Sequence, residues 1–422
     1  MGVIEDLKLQ SFDEVAERMQ PVFPSMIVLG ASRARISFLT SKNEAGKISG
    51  ILWVWSANMS FSRRTYLKSS VAALASAGMG TVLPASAVTV RKGKNSGVFY
   101  LTELLGNPKG TDLKIAKQVG LTWAIAGGGM GTARKEDYIE AVRRKKEAFA
   151  AAGMQIAGVE GHPVPFEKIK LGLEGRDEEI ENTKWAIEAL AKNGINLICY
   201  NFMAGLGWTR TSQSVEERGG ALTSEFDLEA AKAQGPTTYG EVSEEKMWQN
   251  CEYFIKAVMP VAEKFKVKMA LHPDDPPLSP LRGIARIINS KRSYERIMDM
   301  VPSPYNGITF CQANFVLMKE DIYSLAQEWC ARKKIFFIHY RDIRGDKTHF
   351  RETFHDNGQT DMVRILEVYS KGGFQGPIRP DHAPALAGEA QNGKASGYTM
   401  GGKILAFGYM KGIMDSRGLS YT

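Results

Sequence analysis

Apolar and polar positions fall in alternating blocks along residues 97–422. Short runs of β-branched and apolar residues are each followed by a longer segment of helical period, the rhythm of βα units in a parallel sheet. Eight runs stand out: GVFYLT (97–102), LTWAIA (121–126), QIAGVE (155–160), INLICYN (195–201), VKMALH (267–272), GITFCQ (307–312), IFFIHY (335–340) and GPIRPD (376–381). The intervening segments carry helix signals. KEDYIEAVRRKKEAFAAAG ends on a glycine stop, DEEIENTKWAIEALAKNG opens with acids and closes on Lys-Asn-Gly, and another helix starts at Ser243. Eight strands alternating with helices predict an α/β fold, a (β/α)8 TIM barrel in a single domain. One stretch breaks the rhythm. Residues 209–240, rich in Gly, Ser and Thr, read as a long loop over the barrel mouth after the fourth strand.

Ahead of the barrel pattern the character of the chain changes. Arg63 and Arg64, with Leu67 and Lys68, precede an apolar run from Val71 to Leu83, and Ala85-Ser86-Ala87 offers small residues for cleavage. This resembles a twin-arginine export signal. The apolar run is shorter than the roughly 20 residues a bilayer span needs. Residues 59–87 are therefore expected to be the signal, 1–58 an artefactual or dispensable leader, and 88–422 a catalytic barrel exported to the periplasm or another extracytoplasmic space. That route carries folded proteins, which suits a site that takes up its metal before export.

Charge narrows the partners. The whole chain has 54 Lys and Arg against 46 Asp and Glu, and residues 88–422 have 45 against 40. So mild an excess, without basic runs interleaved with aromatics, argues against nucleic acid and suits an anionic small molecule. No stretch after residue 87 is long and apolar enough to span a bilayer, so no membrane anchor is expected once the signal is removed; a homo-oligomer stays open. Cys199, Cys251, Cys311 and Cys330 lack the dense spacing of a disulfide scaffold, which leaves at least one of them as a candidate ligand.

In a barrel of this kind the chemistry gathers at the C-terminal ends of the strands. In the last four strands those ends hold His272, Cys311, His339 and Asp381. All four side chains are competent ligands and would project toward one mouth. Two imidazoles, a thiolate and a carboxylate suit Fe(II), Mn(II) or Zn(II), whereas Mg(II) rarely selects a thiolate.

Longer motifs surround these residues. ICYNFM followed by WTRT, then LHPDDPP, TFCQANF, FIHYRDIRGD, RETFHDNGQTDM and RPDH, occur in the order of the mannonate dehydratase family, which the chain resembles over nearly all of residues 97–418. The family belongs to the xylose isomerase-like barrels. The resemblance implies metal ligation by the same four residues, acid/base duty for His382 and for Tyr398 in SGYTMGG, and loss of water from D-mannonate to give 2-keto-3-deoxygluconate with Fe(II) or Mn(II).

The chemistry asks for more than a metal. A base must take the C2 proton and an acid must protonate the departing C3 hydroxyl. Arg210 and Arg379 are candidate clamps for the substrate carboxylate, since a guanidinium binds one in bidentate fashion; Arg379 reads equally well as a buried structural pair. His162 and His355 are candidate substrate contacts on loops. Asp274, Asp275 and Asp342 are candidates to orient the ligating imidazoles. Cys199 reads as core, and AGGGMG (126–131) as a tight turn that lacks the lysine of a phosphate loop. Where the family is expected to show acids and bulk, this chain has AGLG (204–207), PVPFEKIK (163–170) and APALAGE (383–389), which predicts a wider mouth and leaves the identity of the sugar acid open. The alternatives are a sugar isomerase or epimerase of the same barrel group, or an exported sugar-acid binding protein without catalysis. A metal-dependent nuclease of this superfamily is disfavoured by a total of six histidines.

Overall fold

The computed structural model describes residues 35–42, 48–56, 97–129, 135–393 and 397–422. The chain divides into two units, Met1–Pro84 and Ala85–Thr422. In the first unit, Arg35–Lys42 and Ile48–Ser56 pair as an antiparallel hairpin, inside the stretch read above as a leader. The export-signal segment, 59–87, lies outside the described residues.

The second unit is a closed barrel. Its strands are β1 (Val98–Leu105), β2 (Trp123–Gly127), β3 (Gln155–Glu160), β4 (Leu197–Asn201), β5 (Lys268–His272), β6 (Asn306–Cys311), β7 (Ile335–His339) and β8 (Gln375–Arg379). Neighbours in sequence are neighbours in space, every pairing among them is parallel, and β8 closes on β1 from Gln375↔Val98 to Ile378↔Leu101. The apolar runs become strands because a parallel barrel buries both faces of each. Every residue of β6 and of β7 is buried.

Eight principal helices wrap this cylinder: α1 (Thr111–Gln118), α2 (Lys135–Ala151), α3 (Arg176–Lys192), α4 (Glu244–Phe265), α5 (Lys291–Met300), α6 (Ile322–Ala331), α7 (Met362–Lys371) and α8 (Met400–Arg417). Their ends follow the local chemistry. The Ser243 hydroxyl accepts from the backbone N–H of Lys246 at 3.2 Å, and α4 then lays Met247, Cys251, Phe254 and Val258 along its buried side at helical spacing. Behind β6, Phe310 stacks on Phe315 with centroids 4.5 Å apart and Trp329 packs edge-on to both. That wall fixes the strand whose last residue is Cys311.

The stretch 209–240 corrects the sequence reading. Ser212–Glu217 and Ala221–Asp227 form a hairpin, and a second hairpin from the segment after β7, Ile343–Asp346 and His349–Glu352, adds to it to make a four-stranded antiparallel sheet. The seam runs through Phe350↔Phe226, and Leu222 exchanges two further backbone hydrogen bonds with Ala385 of the segment after β8, at 3.1 and 2.8 Å. This mouth sheet therefore ties together the segments after β4, β7 and β8. Its residues alternate as a half-buried strand must: Phe350 and Glu352 point in, His349 and Arg351 out.

Candidate active site

The strand ends bring the four proposed ligands together. His272, Cys311 and His339 are the last residues of β5, β6 and β7, and the β6–β7 register sets Cys311 beside His339. Their donor atoms all lie within 4.8 Å of one another. Asp381 follows β8 and has φ +57°, a left-handed conformation that aspartate tolerates better than most residues. Its Oδ2 comes to 3.5 Å from His339 Nδ1 and 3.9 Å from Cys311 Sγ.

The donor set fits a divalent cation. His272 Nδ1 sits 2.7 Å from the Pro273 carbonyl, which can only accept, so that nitrogen carries the proton and Nε2 is bare. His339 Nε2 lies 3.4 Å from a Glu160 carboxylate oxygen and 3.3 Å from Arg379 Nε, and its Nδ1 faces into the site. His272 Nε2 and His339 Nδ1 face each other at 3.2 Å. A thiol and a carboxylate stand alongside, so two imidazole nitrogens, a sulfur and a carboxylate oxygen border one small space. Burial also holds the His272 imidazole below its ordinary range, in the neutral form a metal needs.

The surrounding charges point the same way. The guanidinium groups of Arg210, Arg341 and Arg379 face the carboxylates of Glu160, Asp275, Glu352 and Asp381. That is one negative charge in excess. For Asp381, burial raises the carboxyl, but Arg379 and its other cationic neighbours outweigh this and hold it well below the usual range. For Glu160, burial is likewise overcome by Arg379 and His339, leaving the carboxyl at about 2. A second donor group, Glu160, Cys199 and His339, is also compact. It is poorer, because Arg379 already occupies Glu160 at 2.6 and 2.9 Å and burial drives the Cys199 thiol far above its ordinary value.

Next to this centre lies a cavity of about 250 Å³, whose walls include Asn201, Trp208, His272, His339, His382 and Tyr398. The His382 ring packs 4.9 Å from Trp208, and its Nε2 is 2.9 Å from the Tyr398 hydroxyl. Tyr398 is 38 % exposed as a residue, yet its hydroxyl points inward, and burial there pushes the phenol upward. His382 and Tyr398 thus form a hydrogen-bonded pair on the wall of the cavity.

Other expected residues sit elsewhere. Arg210 is no free clamp: its side chain is wholly buried, bound to Asp275 at 2.6 Å and to Glu352 at 2.5 Å, and held between the Trp208 and Phe350 rings. Arg379 is committed to Glu160 and to Asp381. His162 stacks on Phe166 with centroids 3.8 Å apart, and burial keeps it neutral. His355 donates from Nε2 to the Pro380 carbonyl at 2.8 Å and so braces the backbone beside Asp381. Neither histidine lines the cavity.

The three aspartates do not orient the imidazoles. Asp275 pairs with Arg210 and Arg341, Asp274 accepts from the Ile288 N–H, and Asp342 accepts from the Thr360 N–H and hydroxyl. Pro273 takes that role for His272, and Glu160 and Arg379 both flank His339 Nε2. Glu160 ends β3, so extending the strand-end rule from the last four strands to all eight would have found it. The glycine run after β2 is a close approach: Gly128 donates to the Glu160 carbonyl at 2.6 Å, and a Cβ there would stand 2.3 Å from the Gly161 oxygen. Residues 130–131 of that run lie outside the described residues. None of the small residues at 204–207 and 383–389 is on the wall of this cavity. Gly205 instead serves the backbone, at φ +73° with its N–H bound to Glu167.

Comparison with known proteins follows these features. The sequence profile of a family described as D-mannonate dehydratase (UxuA) matches residues 112–238 and 236–420. The chain is similar to the mannonate dehydratase of Streptococcus uberis, 35 % identical over 304 residues that span 66 % of this chain and 86 % of the relative. The Thermotoga petrophila mannonate dehydratase is 33 % identical over 314 residues, with the same coverage of both chains. The crystal structure of mannonate dehydratase from Streptococcus suis superposes with a TM-score of 0.66 at 29 % identity, covering 76 % of this chain and 95 % of that one.

Proposed function

The chain belongs to the mannonate dehydratase family and is a hydro-lyase, and from that premise we propose that it removes water from D-mannonate to give 2-keto-3-deoxy-D-gluconate, using Fe(II) or Mn(II) held by His272, Cys311, His339 and Asp381. When bound, such an ion supplies Lewis-acid polarisation of the substrate oxygens and lowers the charge cost of losing the C2 proton. The remaining work falls to the chain. Tyr398 and His382 share one proton across their 2.9 Å hydrogen bond and line the cavity together. A pair of this kind has the groups to take the C2 proton and to return one to the departing C3 hydroxyl, which leaves as water; the enol product then ketonises. Arg341 and Arg379 hold Asp381 in place rather than gripping substrate.

The observation that carries this reading is the meeting of His272 Nε2 and His339 Nδ1 at 3.2 Å, with thiol and carboxylate beside them and the Tyr398–His382 pair on the adjoining cavity wall. The test strips the protein with a chelator, reloads it separately with Mn(II), Fe(II), Zn(II) or Mg(II), and follows 2-keto-3-deoxy product from D-mannonate. Product with Mn(II) or Fe(II) is the expected result. A metal-filled protein that yields none, yet interconverts sugars, would favour the isomerase reading. The proposal extends to export by the twin-arginine route, which rests on Arg63, Arg64 and the apolar run after them. Replacing both arginines with lysine should retain the protein in the cytoplasm, and an unchanged distribution on cell fractionation would count against it.

A further inference from the structure

Glu352 is 1 % exposed and belongs neither to the ligand set nor to the cavity wall, yet three side chains converge on it. Arg210 donates to Oε1 at 2.5 Å, Arg341 to Oε1 and Oε2 at 2.9 and 3.0 Å, and His382 Nδ1 lies 3.2 Å from Oε1. Burial alone would raise this carboxyl, but the two guanidinium groups outweigh it and keep Glu352 ionised. An ionised carboxylate only accepts, so Nδ1 of His382 carries the proton; the opposite tautomer would set a lone pair against a negative charge. Nε2 is then bare and accepts the Tyr398 hydroxyl at 2.9 Å. The other acid near Nε2, Asp381 Oδ1, is 3.6 Å away, too far for a hydrogen bond.

The position of Glu352 comes from the mouth sheet. Glu352 pairs with Ile343 in its own hairpin, and two residues earlier Phe350 seats against Phe226 of the other hairpin and against the Arg210 guanidinium. Strand alternation then turns residue 352 to the same inner side as residue 350. We propose that Glu352 is a positioning residue for the reaction: it fixes the Nδ1–H tautomer and the ring plane of His382 so that Nε2 faces the Tyr398 hydroxyl, and the mouth sheet is the element that delivers it. The inference rests on the acid/base reading of His382 and Tyr398 given above.

Two measurements test it. In the zinc-loaded full chain with ¹⁵N-labelled histidine, the His382 signals, assigned by their loss in His382→Asn, should show a protonated Nδ1 and a bare Nε2. Finding the proton on Nε2 would overturn the proposal. In the manganese-loaded enzyme, Glu352→Gln should lower kcat about a hundredfold with KM within about twofold, the size of a misaligned acid/base group. In a His382→Asn background the same change should cost little more, because residues acting as one unit are non-additive. An equal loss in both backgrounds would assign Glu352 a purely structural role. Should Glu352→Gln fail to fold, the wild-type nitrogen signals decide alone. They do not depend on turnover, so failure of the dehydratase reading and failure of this one are separately visible.

Discussion

At the mouth of the barrel, Arg341 touches Cys311, Asp275, Glu352 and Asp381, Arg379 touches Glu160 and Asp381, and Arg210 touches Asp275 and Glu352. At the floor, Lys268 lies 5.2 Å over the Phe336 ring, Tyr100 stacks on Trp123 at 5.0 Å, and Lys334 donates to the carbonyls of Ser303 and Asn306. The mouth contacts share members and the floor contacts are separate. A change at the mouth therefore passes through several partners to the proposed ligands, while a change at the floor stays local. The contrast matches the division of labour in such barrels, with chemistry at the C-terminal face and stability at the other.

Five substitutions probe that contrast. Cys311→Ser should have the largest effect, lowering turnover by about 10²–10³-fold or more and reducing bound metal, read by kcat and metal analysis together. Arg341→Met should cost about 3–5 kcal/mol in denaturant unfolding, because it strands buried carboxylates. Combined with Asp275→Asn it should depart from additivity by about 0.5–3 kcal/mol, and strict additivity would mean that the mouth charges are not coupled after all. Phe336→Ala at the floor should cost about 3 kcal/mol of stability and leave kcat within about twofold. A collapse of turnover there would erase the distinction between the two ends. Lys268→Met should be smallest, within about 0.5 kcal/mol by thermal melting.

The strands were legible because a parallel barrel buries both faces, which writes a continuous apolar run for each. The convergence of His272, Cys311 and His339 was legible because strand ends in this architecture share a rim. The mouth sheet was not. SQSVEE and ALTSEFD have little apolar content, and the strand that completes them, HFRE at 349–352, lies more than a hundred residues downstream. Arg210 misled, and Arg379 stayed open between two readings, for a related reason. A guanidinium that clamps a substrate and one that pairs inside the protein carry the same letter in the sequence, and only the positions of Asp275, Glu352, Glu160 and Asp381 separate the two. His355 likewise braces a carbonyl that no spacing rule would name.

Barrel enzymes diversify largely because each loop on the working face is free to vary without regard to the rest. Here β4 and β7 have two strands between them in the wall, yet the hairpins that follow them are hydrogen-bonded into one piece through Phe226 and Phe350. They form a unit of inheritance, and a graft that moved one hairpin without its mate would carry half a sheet. Attempts to retarget this scaffold to another sugar acid would do best to exchange the two segments as a couple.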